Sequence, residues 1–342
     1  MLKMTKMKIR QFLRWTLAFV LCAGVFSCKD KKDDSTVFKK TLSGMPEFSI
    51  PAYVSPGDVL DLVPATVKTE DEKLCGIYWA FSFSSSVRDT TRLEGGTGDA
   101  ATRLVVPDTL KTFSVTCAAF AEGYYNVSSS IAVTVVNGQE TFTGMDLPED
   151  AAFFTDPRDG RTYPYVTIGD REWFARNLAH EGGASYRDAD AMQDVFGQYY
   201  SWDEALEACP DGWRLPTAED WTALAVTAGV DAAEGGVYRG LAGRLMADAY
   251  MNDKKMWEFY PEVKLTNDML FYAIPVGYAT DAEGLHTFYG SSEYAIFWTA
   301  EEADEELAYC RQLYVSSPDV LKGALHKASF LASVRCVRDV EQ

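Results

Sequence analysis

Seven cysteines, three histidines, an acidic run and a wealth of aromatic rings are the groups through which this 342-residue chain could do chemistry. The histidines, His180, His286 and His326, are scattered, and none has a second histidine at zinc-ligand spacing. No metalloprotease helix motif, phosphate-cradling glycine loop or nucleophile elbow occurs. No catalytic residue, metal or cofactor is therefore expected, and the protein reads as a non-enzyme. The run from Glu301 to Glu306 offers oxygen ligands of the kind calcium takes, but a solvated hairpin tip is the simpler reading. Trp173, Trp202, Trp213, Trp221 and Trp298 could form a sugar-binding stripe, yet large aromatics dominate cores, and core is the expectation. Arg214, Arg335 and Arg338 are expected to pair with buried carboxylates rather than to hold an anionic ligand.

The chain that must position these groups is 47% hydrophobic and 13% aromatic, enough side chain to offset chain entropy and exclude a disordered acidic tail. Its length suggests about two domains. Its formal charge of -18 repels phosphate backbones, which argues against a nucleic-acid partner. An odd cysteine count means that disulfides alone leave one thiol over.

Residues 1–27 carry Lys3, Lys6, Lys8, Arg10 and Arg14 and no acid, followed by an apolar run from Trp15 to Phe26. That is the pattern of a signal peptide. The run is shorter than the roughly 20 apolar residues that a membrane span needs. It ends in Val25-Phe26-Ser27-Cys28, which resembles a bacterial lipobox. The resemblance implies that Cys28 is diacylated, becomes the N-terminus and anchors the protein, with Cys22 lost in the discarded segment. Residues 28–39 begin with a stretch free of apolar side chains, Lys29-Asp30-Lys31-Lys32-Asp33-Asp34, and read as a flexible charged tether. This is similar to the sorting segment of lipoproteins displayed from a Gram-negative outer membrane. Lys29, not Asp, follows the cysteine, so the usual inner-membrane retention signal is missing.

From 40 to 137 short alternating runs are broken by Pro, Gly and Ser clusters, the punctuation of an all-β unit. Strands are expected at Glu47 to Tyr53, Asp58 to Val63, Leu74 to Phe83, Thr102 to Pro107, Thr112 to Phe120 and Ser128 to Val136. Cys75, Ile77, Trp79 and Phe81 share one parity, as do Phe113, Val115 and Cys117, so both cysteines face one core. In an exported protein this predicts a Cys75–Cys117 disulfide. Gly76-Ile77-Tyr78-Trp79-Ala80-Phe81 and Phe113-Ser114-Val115-Thr116-Cys117 resemble immunoglobulin-like or PKD-like sandwiches, which act mostly as spacers. Residues 138–150 are polar, aperiodic and contain Pro148, and read as an interdomain linker.

Residues 151–342 are richer in Trp and Tyr and contain helices. One is expected at Asp203 to Ala208 and another at Ala218 to Ala228, opened by Thr217 as N-cap with Glu219 and Asp220 in the first turn. Ordered blocks follow: Asp159-Gly160-Arg161-Thr162-Tyr163, Glu172-Trp173-Phe174-Ala175-Arg176-Asn177-Leu178, Gly197-Gln198-Tyr199-Tyr200-Ser201-Trp202, Cys209-Pro210-Asp211-Gly212-Trp213-Arg214-Leu215-Pro216 and Ser333-Val334-Arg335-Cys336-Val337-Arg338-Asp339. They resemble the FISUMP family, the Fibrobacter succinogenes major paralogous domain, departing from it at Phe174 and in the extra Cys310. The resemblance implies an α+β, C-type-lectin-like fold in which Cys209 pairs with Cys336. It also implies that the region from about Gly240 to Phe297 is the recognition face, where Tyr250, Trp257, Tyr260, Tyr278, His286, Tyr289 and Tyr294 could contact a ligand.

Lectins of this fold bind calcium through a carboxylate or amide beside a loop proline, whereas Ile274-Pro275-Val276 offers neither, so no calcium site is carried over. Formylglycine-generating enzymes share the fold and use a cysteine pair, but with Cys209 and Cys336 committed only Cys310 remains, and a lone buried cysteine reads as a strand residue. The expected protein is thus a surface-exposed outer-membrane lipoprotein that binds a glycan or a protein, with adhesion as its role and the membrane touched only through its lipid. The alternatives are a surface-fibre subunit and, further off, an oxidoreductase of the formylglycine-generating type. Residues 151–342 hold 16 basic and 32 acidic groups against 7 and 11 in 40–137, which favours a neutral or cationic ligand over an anionic polysaccharide.

Overall fold

Alternation of apolar and small polar residues builds the N-terminal region from β1 (Tyr53–Val54), β2 (Val59–Leu62), β3 (Gly76–Phe83), β4 (Thr90–Leu93), β5 (Thr102–Val105), β6 (Thr112–Phe120) and β7 (Val127–Val135). The computed structural model describes residues 39–83, 90–93, 101–108, 111–231, 234–258 and 260–340. The expected signal peptide 1–27, the lipidated Cys28 and the tether up to residue 38 lie outside the described residues. Five strands form one sheet in the order β1-β7-β6-β3-β4, while β2 and β5 pair separately. Ile77, Trp79 and Phe81, Phe113, Val115 and Cys117, and Val133 and Val135 point to one side, where Leu60 and Leu62 of the small sheet meet them. The region is all-β around a single core. The strand expected from Glu47 shrinks to two residues, and β4 is additional, because Thr-Thr-Arg-Leu carries no alternation to announce it.

Cys75 and Cys117 do share that core, but both thiols are free. The expected disulfide is corrected by strand register. Trp79 faces Cys117 and Gly76 faces Phe120, so Cys75 sits four positions along the neighbouring strand from the residue opposite Cys117. Four residues at about 3.3 Å each is about 13 Å, whereas a disulfide needs Cα atoms within about 7 Å. Shared parity fixes the face and says nothing about the position along the strand.

The segment 138–150, expected as a linker, is folded. Asn137 N–H donates to Thr141 Oγ1 at 2.8 Å, and a helical turn, Gly138–Thr141, leads into a strand at Phe142–Thr143 that pairs with Tyr250–Met251. Phe142 and Met145 are buried together with Val136, Ala175, Tyr186 and Phe196 in one cluster. Residues 40–342 consequently form one unit.

Beyond the junction, β8 (Ala152–Thr155), β9 (Thr162–Ile168) and β10 (Arg171–Phe174) form a sheet that the last strand, β17 (Val337–Asp339), completes by pairing Trp173 with Val337. The two longest helices follow β10 in the chain, α1 (Trp202–Ala208) and α2 (Ala218–Thr227). Each opens on a capping box, Ser201 with Glu204 and Thr217 with Asp220, which satisfies orphan N–H groups at the helix starts. Cys209, the residue after α1, bonds to Cys336 just before β17, with Cα atoms 5.8 Å apart and a sequence separation of 127. In the chain-entropy account a loop that long contributes about 4–5 kcal/mol. Two of the three-stranded sheets belong to the same region. One is β13 (Tyr294–Glu302), β14 (Leu307–Tyr314) and β15 (Val320–His326), and the other has β11 (Tyr278–Ala282) between β12 (Leu285–Tyr289) and β16 (Phe330–Leu331). The five tryptophans expected in the core are there, none more than 6% exposed.

Candidate functional site

Most motif residues build the scaffold. Asp220, at the start of α2, is 1% exposed and accepts from Arg171 Nε at 2.9 Å, from Thr217 N at 2.7 Å and from both terminal nitrogens of Arg214. Arg338 Nε donates to Glu172 across β17 and β10 at 2.5 Å. Both pairings were expected. Arg335 is the exception: it is 1% exposed and finds no carboxylate among the described residues. Its Nε donates to Asn177 Oδ1 at 2.7 Å, and its other nitrogens donate to the carbonyls of Phe174, Phe271 and Tyr272. The guanidinium also lies over the Phe271 ring, 4.6 Å from its centroid. The planar fork matches several carbonyls at once, so no acid is required to satisfy its donors.

A group of aromatic rings packs against the Trp298 core with its outer edge open to solvent. On the sheet of β11, β12 and β16, Ala279, Phe288 and Leu331 pack inward, while Tyr278 and Tyr289 lie directly opposite one another on the other side. Tyr278 stacks on Tyr289 at 5.5 Å between centroids and on Phe330 at 4.7 Å. Tyr294 meets Tyr278 edge-on at 6.3 Å and stacks on Tyr314, its register partner across β13 and β14, at 4.5 Å. Five rings from five strands thus adjoin, four of them partly buried and Tyr289 exposed at 46%. Two glycines permit this. Gly277 has φ +73° and a Cβ there would lie 2.0 Å from Tyr289 O, while one on Gly290 would lie 2.7 Å from the Tyr294 ring. Burial and the adjoining Tyr314 push the Tyr294 hydroxyl above its ordinary pKa, so it stays a neutral donor.

Of the seven expected contact residues, the structure brings together Tyr278, Tyr289 and Tyr294. Trp257 is a correction: it is 1% exposed, packs in the core with Trp173 and Trp221, and donates from its indole to Ala273 O at 3.3 Å. Its large apolar surface outweighs its one polar atom. Tyr250 is partly buried on the strand that pairs with the junction. Tyr260 lines a separate cavity of about 100 Å³ with Glu258 and Val263. His286 is on the inner side of β12 and lines another, of about 320 Å³, with Asp203, Glu204 and Asp281. Tyr314 and Phe330 were missed because they are remote in sequence. The signal available for Tyr314 was its place in the apolar alternation of the last long hairpin.

Three ligand-type side chains meet elsewhere, where no metal was expected. Oxygens of Asp156 and Asp159 and a ring nitrogen of His180 lie within 4.8 Å of one another. Asp156 is fully buried, and Arg158 Nε and Nη2 hold both of its oxygens at 3.0 and 2.7 Å. A guanidinium already supplies the countercharge there. Cys310 is fully buried on β14, accepts from Gln312 Nε2 at 3.4 Å, and is pushed up to about 11 by burial. Reactivity belongs to the thiolate, and this environment holds the thiol protonated.

No helix among the described residues is long and apolar enough to cross a membrane. No curated protein and no solved structure matches the chain. The family model of the Fibrobacter succinogenes major domain matches residues 166–338, half of the chain, running from β9 to β17 and so taking in the Asp220 and Arg335 networks, the disulfide and the aromatic face. The chain belongs to the Fibrobacter succinogenes major domain family.

Proposed function

We propose that the protein is a lipid-anchored outer-membrane protein whose C-terminal domain binds a glycan or protein ligand at the cell surface without chemical turnover. The observation that carries this reading is the five-ring aromatic face of Tyr278, Tyr289, Tyr294, Tyr314 and Phe330. Partly exposed rings, four of them with hydroxyl tips, give contact area with few torsions to freeze. Family membership fits a surface-associated protein, and the signal-like N-terminus with Cys28 supplies the anchor. The helices, the closing pair of β10 with β17 and the disulfide between α1 and the last strand support a C-type-lectin-like variant for the C-terminal region. Two sheets around Trp79 support an immunoglobulin-like or PKD-like sandwich that holds it off the membrane.

The test is an array of glycans and matrix proteins probed with the full chain and with Tyr289→Ala, an exposed position whose loss leaves the core intact. Binding to at least one ligand, reduced on the order of tenfold in the variant, is expected from losing a contact of about 1.4 kcal/mol. Signals no higher than background, or a variant that binds like the parent, would remove the aromatic face from the account.

A second observation favours assembly as a competing role. Val59 and Val105 face each other on the two-stranded sheet of β2 and β5 and are 55% and 61% exposed. If that patch joins copies into a fibre subunit, size-exclusion chromatography will show ordered oligomers that Val105→Lys disperses.

A further inference from the structure

A cavity of about 400 Å³ lies among residues of two motif blocks and has no part in the aromatic face. It is lined by Arg161, Thr162, Tyr163, Arg176, Asn177, Ala179 and Asp194. Its charge differs from that of the chain as a whole. Arg176 is largely buried, and its contacts are the carbonyls of Met145 at 2.8 Å and Ala175 at 3.3 Å and the face of the Tyr272 ring. Among the described residues no carboxylate pairs with it. Arg335, directly behind Asn177, is fully buried and equally without an acid. Neither interior guanidinium has a carboxylate within ion-pair distance, the Asp146 charge reaching Arg176 only from farther off, so a lining of two arginines and one aspartate is net positive in a protein of formal charge -18, and an interior charge left unpaired is costly.

The rim shows what shape of anion fits. Arg161 directs Nη1 to Asp194 and Nη2 to Gln193 Oε1 at 2.7 Å. Asp194 itself is 84% exposed. Arg161 Nε also lies 3.6 Å from the part-buried side chain of Asp159, so the rim fork has two carboxylates, of which the exposed Asp194 can leave at little cost, since exposed ion pairs contribute about 0–1 kcal/mol. Within the cavity, Tyr163 accepts from Ala179 N at 3.1 Å and keeps its own proton to donate. Burial pushes that hydroxyl up to about 12, so it remains a donor. Thr162 and Asn177 add polar lining.

We propose that this cavity binds the carboxylate of an acidic monosaccharide unit, with Arg176 as its inner cation and Arg161 as its rim fork, in the place where Asp194 now stands in for the ligand. A planar two-oxygen group matches a guanidinium fork. A single negative charge is repelled less by the acidic surroundings than a dianionic phosphate or a long polyanion. The cavity is larger than a bare carboxylate needs, and its hydroxyl and amide lining matches a hydroxylated ring rather than a fatty acid.

Titration calorimetry of the full chain with sodium D-glucuronate, D-glucose and inorganic phosphate tests this. Glucuronate is expected to bind and glucose not. Phosphate is expected to be weaker by about tenfold, as is glucuronate binding in Arg176→Gln, the loss of one charged hydrogen bond. Asp194→Asn, at an exposed position that leaves folding intact, is expected to tighten glucuronate about two- to fivefold by removing the exposed one of the two carboxylates on Arg161. No heat with glucuronate, glucose or phosphate binding as tightly as glucuronate, or an Asp194→Asn variant no tighter than the parent would each overturn the assignment. The Asp194→Asn arm stands even if Arg176→Gln misfolds. Tyr289→Ala leaves glucuronate binding unchanged, which separates this site from the aromatic face.

Discussion

Asp220 shows how one side chain ties several elements together. Burial alone would raise its pKa, but Arg214, the Thr217 N–H and Arg171 reverse that and hold it well below the ordinary carboxylate range. A carboxyl whose folded pKa lies below its unfolded one stabilises fully above the unfolded value, about 3.9, and loses the contribution as pH falls from there toward the folded value. Asp220→Asn is therefore expected to cost about 3 kcal/mol at neutral pH, the lower end for a broken buried pair, because Arg214 keeps access to water. In urea denaturation the gap between parent and variant should narrow from pH 7 to pH 3. An unchanged gap would mean that hydrogen bonding and shape, not ionisation, account for the loss. Such pairs were legible from charge and cap position. Arg335 was not, because backbone carbonyls satisfy it, and no residue type announces a carbonyl.

At the scale of elements, helices and long strands were readable because capping residues and parity act locally: Thr217, Asp220 and the alternation around Trp79 each gave the right element. What connects elements was less so. Register separated Cys75 from Cys117, and the aromatic face assembled from five strands spread between Tyr278 and Phe330. Where strands meet closely, glycines decide. Gly160 and Gly277 have nearly the same φ, +77° and +73°, but nothing lies within 4 Å of a Cβ at Gly160, while at Gly277 it would meet Tyr289 O at 2.0 Å. Gly160→Ala is expected to cost about 1–2 kcal/mol, the conformational penalty alone. Gly277→Ala should cost about 1–3 kcal/mol more, because a backbone oxygen cannot step aside, and should weaken the binding proposed for the ring pair it supports. Thermal melts of both variants check this, and equal losses would show that the loop after Ile274 gives way easily.

At the scale of the whole molecule, the junction decides whether the N-terminal region is a swinging spacer or part of one unit with the C-terminal domain. Its polarity suggested a linker, since Phe142 and Met145 are sparse among Gly, Glu and Thr. Composition could not show that their side chains enter a cluster with Ala175, Tyr186 and Phe196. Three further contacts tie the regions. Lys111 Nζ donates to Asp253 at 2.9 Å, Tyr53 lies 5.7 Å from Tyr186 between ring centroids, and the Tyr272 hydroxyl donates to Asp146 O at 2.7 Å. The exposed Lys111 pair adds little by itself, so the coupling rests on buried apolar surface. A shared core makes the two regions melt together, even though chains beyond about 250–300 residues usually split into domains that unfold separately. Calorimetry of the full chain should therefore give one endotherm. Phe142→Ala removes a ring from the shared cluster at about 3–5 kcal/mol and should lower that endotherm or divide it in two. Two well-separated endotherms in the parent protein would show that the cluster is too weak to couple the regions. The aromatic face would then be carried on a hinge rather than on a fixed strut.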